Sequence, residues 1–424
     1  PMPLKSLFAY SFQSFYLAGS FLLLFIFLPS FYNLSVGFAL STVGMIILIS
    51  RVFDVFSDFI IGYLTERRFI KGLPKKNQIL LGIFVFIFSI IGLYVIQPNN
   101  YYWFIFYYNL ALVSYSIAII PYDSIVIDQK KILHRRFYIA AIKEIFTILG
   151  VLAALIIPTV LSKILSVELL NQEVIKITGL IIIILAIIGS MLFYLFFEED
   201  NQFHSKFISF KEIKFYLSHN KKISPFAVIT FLNLLANNFT ANLFIIFVSS
   251  YLGLSNYAGP LLILYFLITL ISTPVWYHFG KTFSNMFLLQ VGTIITIVGF
   301  FFVLFTNENH WYLYLIVLLI TGFGVGIDLI VPQTELAEIL DQNTQNRLSQ
   351  IFTALFSMIR KAAIGLAGGI ALTGYGYLES NNIVIYQGLS NIMIFYFFIP
   401  ITIKVIVLLL VMRYRSKFHV SNRE

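Results

Sequence analysis

The apolar positions of this 424-residue chain fall in long, nearly unbroken runs separated by short polar or charged stretches. The runs lie near residues 7–32, 37–63, 78–96, 101–127, 137–162, 174–197, 224–251, 258–279, 286–305, 311–335, 349–373 and 389–413. A bilayer core about 30 Å thick is crossed by about 20 apolar residues in a helix. The pattern therefore predicts an all-α polytopic membrane protein with twelve transmembrane helices. The first run is too long for the core of a secretory signal and is followed by no convincing cleavage site, so it is read as a retained helix. Met2, behind Pro1, is expected to be the native start.

The longest charged connection, Glu198 to Lys222, divides the runs six and six. The expected organisation is a first six-helix half over 1–197, a linker over 198–223, and a second half with a tail over 224–424. Within the linker, Ser209-Phe-Lys-Glu212 has the form of a capping box opening a short helix, FKEIKFYLSH. Phe210, Ile213 and Leu217 fall on one side of it and lysines lie nearby, which suits a helix resting on the membrane surface. A plain connector and a regulatory element both fit that description. With both termini cytoplasmic, 21 of the 28 Lys and Arg lie in inner segments, and only Lys163 and Lys176 lie in outer loops. Such a bias fixes the expected orientation.

Composition and charge then add little that conflicts. The chain is 59% hydrophobic and 11% charged, against about 25% charged in soluble domains. The net charge of +9 is accounted for by the inner loops, so no nucleic-acid partner is implied. The absence of cysteine excludes disulfides, thiolate metal sites and thiol chemistry. Twelve helices halved by a basic inner loop match the architecture of the major facilitator superfamily, whose halves pack about a central cavity.

The candidate chemistry lies where the second run is interrupted, in RVFDVFSDFIIGYLTERR over residues 51–68. Arg51, Asp54 and Asp58, at i, i+3 and i+7, share one helical face. A charge at the bilayer centre costs about 3 kcal/mol on insertion scales, so this stripe must face other helices or water. Two carboxylates one turn apart, with Ser57 between them, offer oxygen ligands to Na+ or a site for a proton. An Arg51–Asp54 ion pair that only locks helices is the structural alternative. Asn233, Asn237, Asn238 and Asn242 make a polar stripe in the seventh run that fits a cavity lining or inter-helix glue. Tyr16, Tyr115, Tyr122 and Trp276 could stack on a sugar ring. Gly322, Gly324 and Gly326 favour close helix packing. Asp328, in mid-helix, is a candidate second functional acid, and Lys404 is expected to snorkel or pair. Arg360 and Lys361 lie about 100° apart on a helix, so one of them faces a cavity.

RVFDVFSDFIIG resembles the second-helix signature of the glycoside-pentoside-hexuronide:cation symporters, a major facilitator family. Ile120-Pro121-Tyr122-Asp123, followed by Arg135 and Lys143-Glu-Ile-Phe146, resembles that family's I-P-Y/F motif and the basic residue opening its fifth helix. Pro332-Gln-Thr-Glu-Leu-Ala-Glu338-Ile-Leu-Asp341 resembles its helix-ten exit, and the spacing from Arg347 to Lys361 leads to its helix-eleven lysine. The resemblance implies a cation site of Asp54, Asp58, Ser57 and Ser116, with Lys361 in the other half sensing it. It implies substrate or coupling roles for Lys143, Asp123, Arg51 and Tyr122, beside Asn237 and Asn238 from the polar stripe. Lys143 stands where the family usually has arginine, which keeps the charge and loses the bidentate fork. Glu66, Arg67 and Arg68, with Arg135 and Arg347, are placed in the gating loops, where the basic residues are equally plain positive-inside anchors.

Two departures bear on substrate. The family's sugar-holding aspartates of helices one and four correspond here to Ser14 and Ile119, with Asp123 one turn beyond as a stand-in. The surplus of cations left once acids are assigned to the coupling ion gives an organic anion weight beside a neutral sugar. The expected protein is a monomeric secondary transporter of the bacterial inner membrane, in contact with lipid, needing no cofactor. It is expected to drive symport of a small organic solute (sugar, glycoside, uronate or related anion) with Na+ or H+ by alternating access. A lipid or lysolipid transporter, a proton-driven exporter, and a sensor without transport are the rivals; an enzyme is not expected, since no metal or nucleophile motif is present.

Overall fold

The computed structural model describes residues 3–38, 40–66, 74–128, 133–168, 170–198, 210–254, 257–341, 349–381, 383–385 and 390–418. These are helices and short connections, with no strand among the described residues. In the first part run α1 (Leu4–Leu34), α2 (Leu40–Glu66), α3 (Lys75–Ile96), α4 (Tyr101–Asp128), α5 (Leu133–Leu165) and α6 (Gln172–Phe196). The short α7 (Phe210–His219) follows. Then come α8 (Ile223–Tyr251), α9 (Ala258–Phe279), α10 (Asn285–Phe305), α11 (Leu313–Asp341), α12 (Ser349–Ser380) and α13 (Asn391–Phe418). Eleven helices among the described residues are long and apolar enough to cross a membrane. The 27-residue α2, which carries Arg51, Asp54 and Asp58, is a further long helix, spanning about 40 Å at 1.5 Å per residue.

Proline sits well inside α4, α5, α9 and α11, among others, at Pro121, Pro158, Pro274 and Pro332. In a transmembrane helix the freed carbonyls are satisfied by neighbours and local adjustment. The helix α4 continues through Pro121 to Asp128, so Asp123 keeps its place one turn after Ile119. A different accommodation occurs in α13. Pro400 has no N–H for the carbonyl of Tyr396, and the chain widens to a π-turn over Ile394–Phe398.

The contacts divide the chain into two compact units. One comprises Pro1–Ile208 with Thr344–Met358, and the other Ser209–Asn343 with Ile359–Glu424. The first turns of α12 thus belong with the N-terminal helices. In the first unit α1 packs on α5 where Gly19 meets Gly150; a Cβ on Gly150 would land on the carbonyl oxygen of Phe15. An aromatic core of Phe31, Tyr32, Phe86, Tyr94, Phe104 and Tyr108 fills the same unit. In the second unit Gly292 and Gly324 let α10 and α11 touch, and Gly322 and Gly326 bring α11 against α9. Small residues do this because apolar side chains gain nothing by leaving lipid for one another, so close van der Waals fit decides association. The outward surface carries large apolar side chains: Phe84 is 72% exposed, Ile271 69% and Ile164 71%, a lipid-facing pattern that water would not tolerate at this extent.

Candidate functional site

The two acids of α2 are fully buried, Asp58 at 0% and Asp54 at 1% exposure. Their side chains follow one another up a single helical face, as the spacing predicts. From α4 the buried Ser116 hydroxyl donates to Asp54 Oδ1 at 3.5 Å. The Ser57 hydroxyl turns back to the carbonyl of Asp54 at 3.0 Å, leaving its oxygen lone pairs available. A third hydroxyl was not anticipated. Ser357, on the part of α12 that belongs to the first unit, donates to Asp58 Oδ2 at 2.6 Å. Close approach makes this contact feasible: Gly62, one turn after Asp58, lies directly on Ala354, and Ile61, Ile120 and Ala354 form one packed cluster. Ser357 was invisible in the sequence because only packing tells which of many mid-helix serines lies beside an acid. All these donors are oxygen, a set suited to a hard cation or a proton. Among the described residues no group of three or more His, Cys, Asp or Glu could hold a metal.

Arg51, on the same helix, reaches α1. Its guanidinium lies 3.3 Å from the ring centroid of Phe25 and 5.8 Å from that of Phe21, both on α1. A cation over an aromatic face is held electrostatically by the ring quadrupole, so stacking on α1 anchors the Arg51 side chain.

A second buried cluster joins α4 and α5. Lys143 Nζ lies 2.6 Å from Asp123 Oδ1 and 3.5 Å from Glu144 Oε1, with side chains 5–8% exposed. Ser14 of α1, at the position of a missing sugar-holding acid, donates to the Lys143 carbonyl at 2.9 Å and to Ser11 O at 2.7 Å. The Tyr122 hydroxyl donates to the carbonyl of Tyr10 at 2.9 Å, and the two rings stack at 4.5 Å. That hydroxyl is therefore taken up by a lock between α1 and α4, and Tyr122 presents only its ring to Lys143, at 5.6 Å. Lys361 is buried on α12, one turn after Ser357, while the adjacent Arg360 is exposed. Of the gating residues, Arg67, Arg68 and Arg347 lie outside the described residues, and the side chains of Glu66 and Arg135 do too. At the same end of the first unit Lys75 Nζ donates to the hydroxyls of Ser124 and Ser349, each at 2.8 Å.

The second unit contains a centre that the sequence only hinted at. Lys404 Nζ of α13 donates to Asn233 Oδ1 at 2.6 Å and to Asp328 Oδ2 at 3.1 Å. Asn237 Nδ2 donates to the same Asp328 Oδ2 at 2.9 Å. Asn233 and Asn237 are one turn apart on α8 and so point the same way. Asn238 and Asn242 instead bond the carbonyls of Leu234 and Asn238 on their own helix. The polar stripe is thus half cluster and half self-satisfied, and Asn238 does not join Asn237. Beside the cluster is a cavity of about 130 Å³ whose wall includes Lys404, Asn237, Tyr265, Tyr314 and Tyr396.

Long apolar helices enclosing buried acids and lysines define an integral multi-pass membrane protein. Residues 9–416 match the family model described as MFS/sugar transport protein, and the chain belongs to that family, the melibiose permease-like symporters of the major facilitator superfamily. No curated protein matches the sequence. Among solved structures, the E. coli fucose:proton symporter is 15% identical with a TM-score of 0.68, covering 98% of this chain and 99% of its own. The human organic anion transporter MFSD10 is 12% identical, with a TM-score of 0.69 and coverage of 97% and 100%. The proton:xylose symporter XylE is 15% identical, with a TM-score of 0.67 and coverage of 97% and 96%. At such identities these likenesses speak to the fold alone, which is that of a major facilitator transporter.

Proposed function

We propose that the chain is a cation-coupled symporter of a small sugar-type solute, driven by Na+ or H+ bound at Asp54 and Asp58. The observation that carries this reading is the pair of fully buried acids on one face of α2 with hydroxyl partners from Ser116 and Ser357. Charge buried so deeply among apolar helices is retained where it does work, and the donor set is made of oxygen throughout. A cation arriving there offsets the repulsion of two carboxylates one turn apart, and the solute then binds with the affinity that linkage returns to it. The fucose:proton and proton:xylose symporters, similar in fold, pair a sugar with a proton, which favours this cargo class here. The membrane is proposed to be the inner membrane of a bacterium.

The test needs no knowledge of the cargo. The purified chain is melted in choline chloride, in NaCl, and across a pH series. A cation bound only by the folded state raises the melting temperature, since a ligand at 100 times its Kd adds about 2.7 kcal/mol. Asp58→Asn is expected to fold and to lose that shift, and in proteoliposomes to lose cation-driven accumulation of any solute the wild type concentrates. An Asp58→Asn protein with an undiminished cation response overturns the assignment.

A further inference from the structure

The Lys404 centre of the second unit is not part of the cation site, yet it has the features of a binding site. Lys404 is 5% exposed and Asp328 4%. An ion pair buried to this degree is rarely worth more than well-packed apolar side chains, because desolvation offsets the attraction. Its satisfaction is also incomplete. An ammonium has three donors, and two go to Asn233 and Asp328. Asp328 Oδ1 is buried and accepts no hydrogen bond, although a lone buried acceptor costs free energy. The polar cluster therefore has capacity left over, at the wall of a cavity.

The rest of that wall is aromatic and aliphatic. The Tyr314 and Tyr396 hydroxyls bond one another at 2.5 Å, so these side chains are fixed and offer their rings. Thr296 and Thr321 donate to carbonyls of their own helices, Gly292 and Val317. The backbone beside the cavity is held in the π-turn of Ile394–Phe398, a distortion found often at functional sites. At about 130 Å³ the space is close to the roughly 150 Å³ of an engineered apolar cavity that takes up benzene. It fits one six-membered ring with a short polar arm.

Charge selects the arm. Lys404 and Asp328 already cancel one another, so an anionic ligand would bring an uncompensated charge into a space walled mostly by apolar groups. A cationic ligand would meet the Lys404 ammonium. A hydroxyl accepts from the remaining Lys404 N–H at no such cost. We propose that this cavity is a binding subsite for an uncharged, hydroxyl-bearing six-membered ring, held by Lys404 and walled by Tyr314 and Tyr396. That the occupant is part of the transported solute rests on the transport reading above; that the cavity binds such a ring does not.

The test is a fluorine-NMR titration of the full chain in detergent, with 4-fluorobenzyl alcohol as probe. The wild type is expected to bind it saturably and to bind 4-fluorotoluene about tenfold more weakly, the worth of one hydrogen bond to a charged group, with 4-fluorobenzoate also weaker because it brings an uncompensated charge into the cavity. Ala241→Phe, which fills the cavity, should abolish binding. Lys404→Met leaves Asp328 without its cation and can unfold the protein, so the pair is also removed together as Lys404→Met with Asp328→Asn. That double variant should melt normally and lose the preference for the alcohol over the hydrocarbon. No saturable binding to the wild type, an equal response to alcohol and hydrocarbon, or tighter binding of the benzoate overturns the proposal. Asp58→Asn serves as the control: alcohol binding that survives there while cation response is lost separates this subsite from the coupling site.

Discussion

Lys143 in the first unit and Lys404 in the second are both buried among polar partners, and the two centres are built differently. Lys143 faces two carboxylates, Asp123 and Glu144, and lies beside the Tyr122 ring. Lys404 faces one carboxylate and one carboxamide oxygen, and it also lines a cavity. In the first centre one ammonium contacts two carboxylates; in the second it contacts one. The difference teaches where each can act. A lysine shared by two acids is needed to keep them together and has little to give a ligand. One whose charge is already balanced can offer its remaining N–H without demanding a counter-charge.

Removing the lysines is the strongest way to break this comparison. Lys143→Met removes the ammonium that both Asp123 and Glu144 contact in a buried site, and should cost about 3–5 kcal/mol, typical of a broken buried pair, read as a fall in melting temperature or denaturant midpoint. Lys404→Met should cost less, about 3 kcal/mol, because one acid is stranded and Asn237 still donates to it. Neutralising the partner sharpens the contrast. Lys404→Met with Asp328→Asn is expected to recover most of the loss, whereas Lys143→Met with Asp123→Asn recovers only part, Glu144 remaining. Equal recovery in both double variants would show that Glu144 is not a member of its cluster. The smallest effects concern packing. Gly150→Ala sets a methyl on the backbone oxygen of Phe15 in the first unit, where nothing can rotate away, and should cost about 1–3 kcal/mol. Gly326→Ala in the second unit meets chiefly the Ser272 hydroxyl, a side-chain group able to turn, and should cost less than about 1 kcal/mol.

The helices and their number were readable because a bilayer imposes a length on every apolar run, and that signal is local. The α2 acids were readable for the same reason: three charges in an apolar run are conspicuous, and the 3.6-residue period says that they share a face. Partner choice was not readable. Nothing local in SFQSFYL shows that Ser14 would bond the Lys143 carbonyl, or that Arg51 would lie over the Phe25 ring. Asn233 and Asn238 look alike in sequence; one reaches Lys404 and the other its own helix, because only the first is turned toward α13.

By itself, then, the sequence determined an all-helical membrane chain, the spacing of its buried acids and its family signature, since each depends on residues within a few turns of one another. The tertiary structure alone decided that Ser357 joins Asp58, that the Tyr122 hydroxyl is consumed by Tyr10, and that Asp328, Lys404 and two asparagines meet at the wall of a cavity. Those contacts join positions 76 to 299 residues apart or set one side chain against a cavity. In a membrane, where apolar burial does not discriminate among helices, close fit at glycines selects which faces meet, and the polar partners follow from that choice.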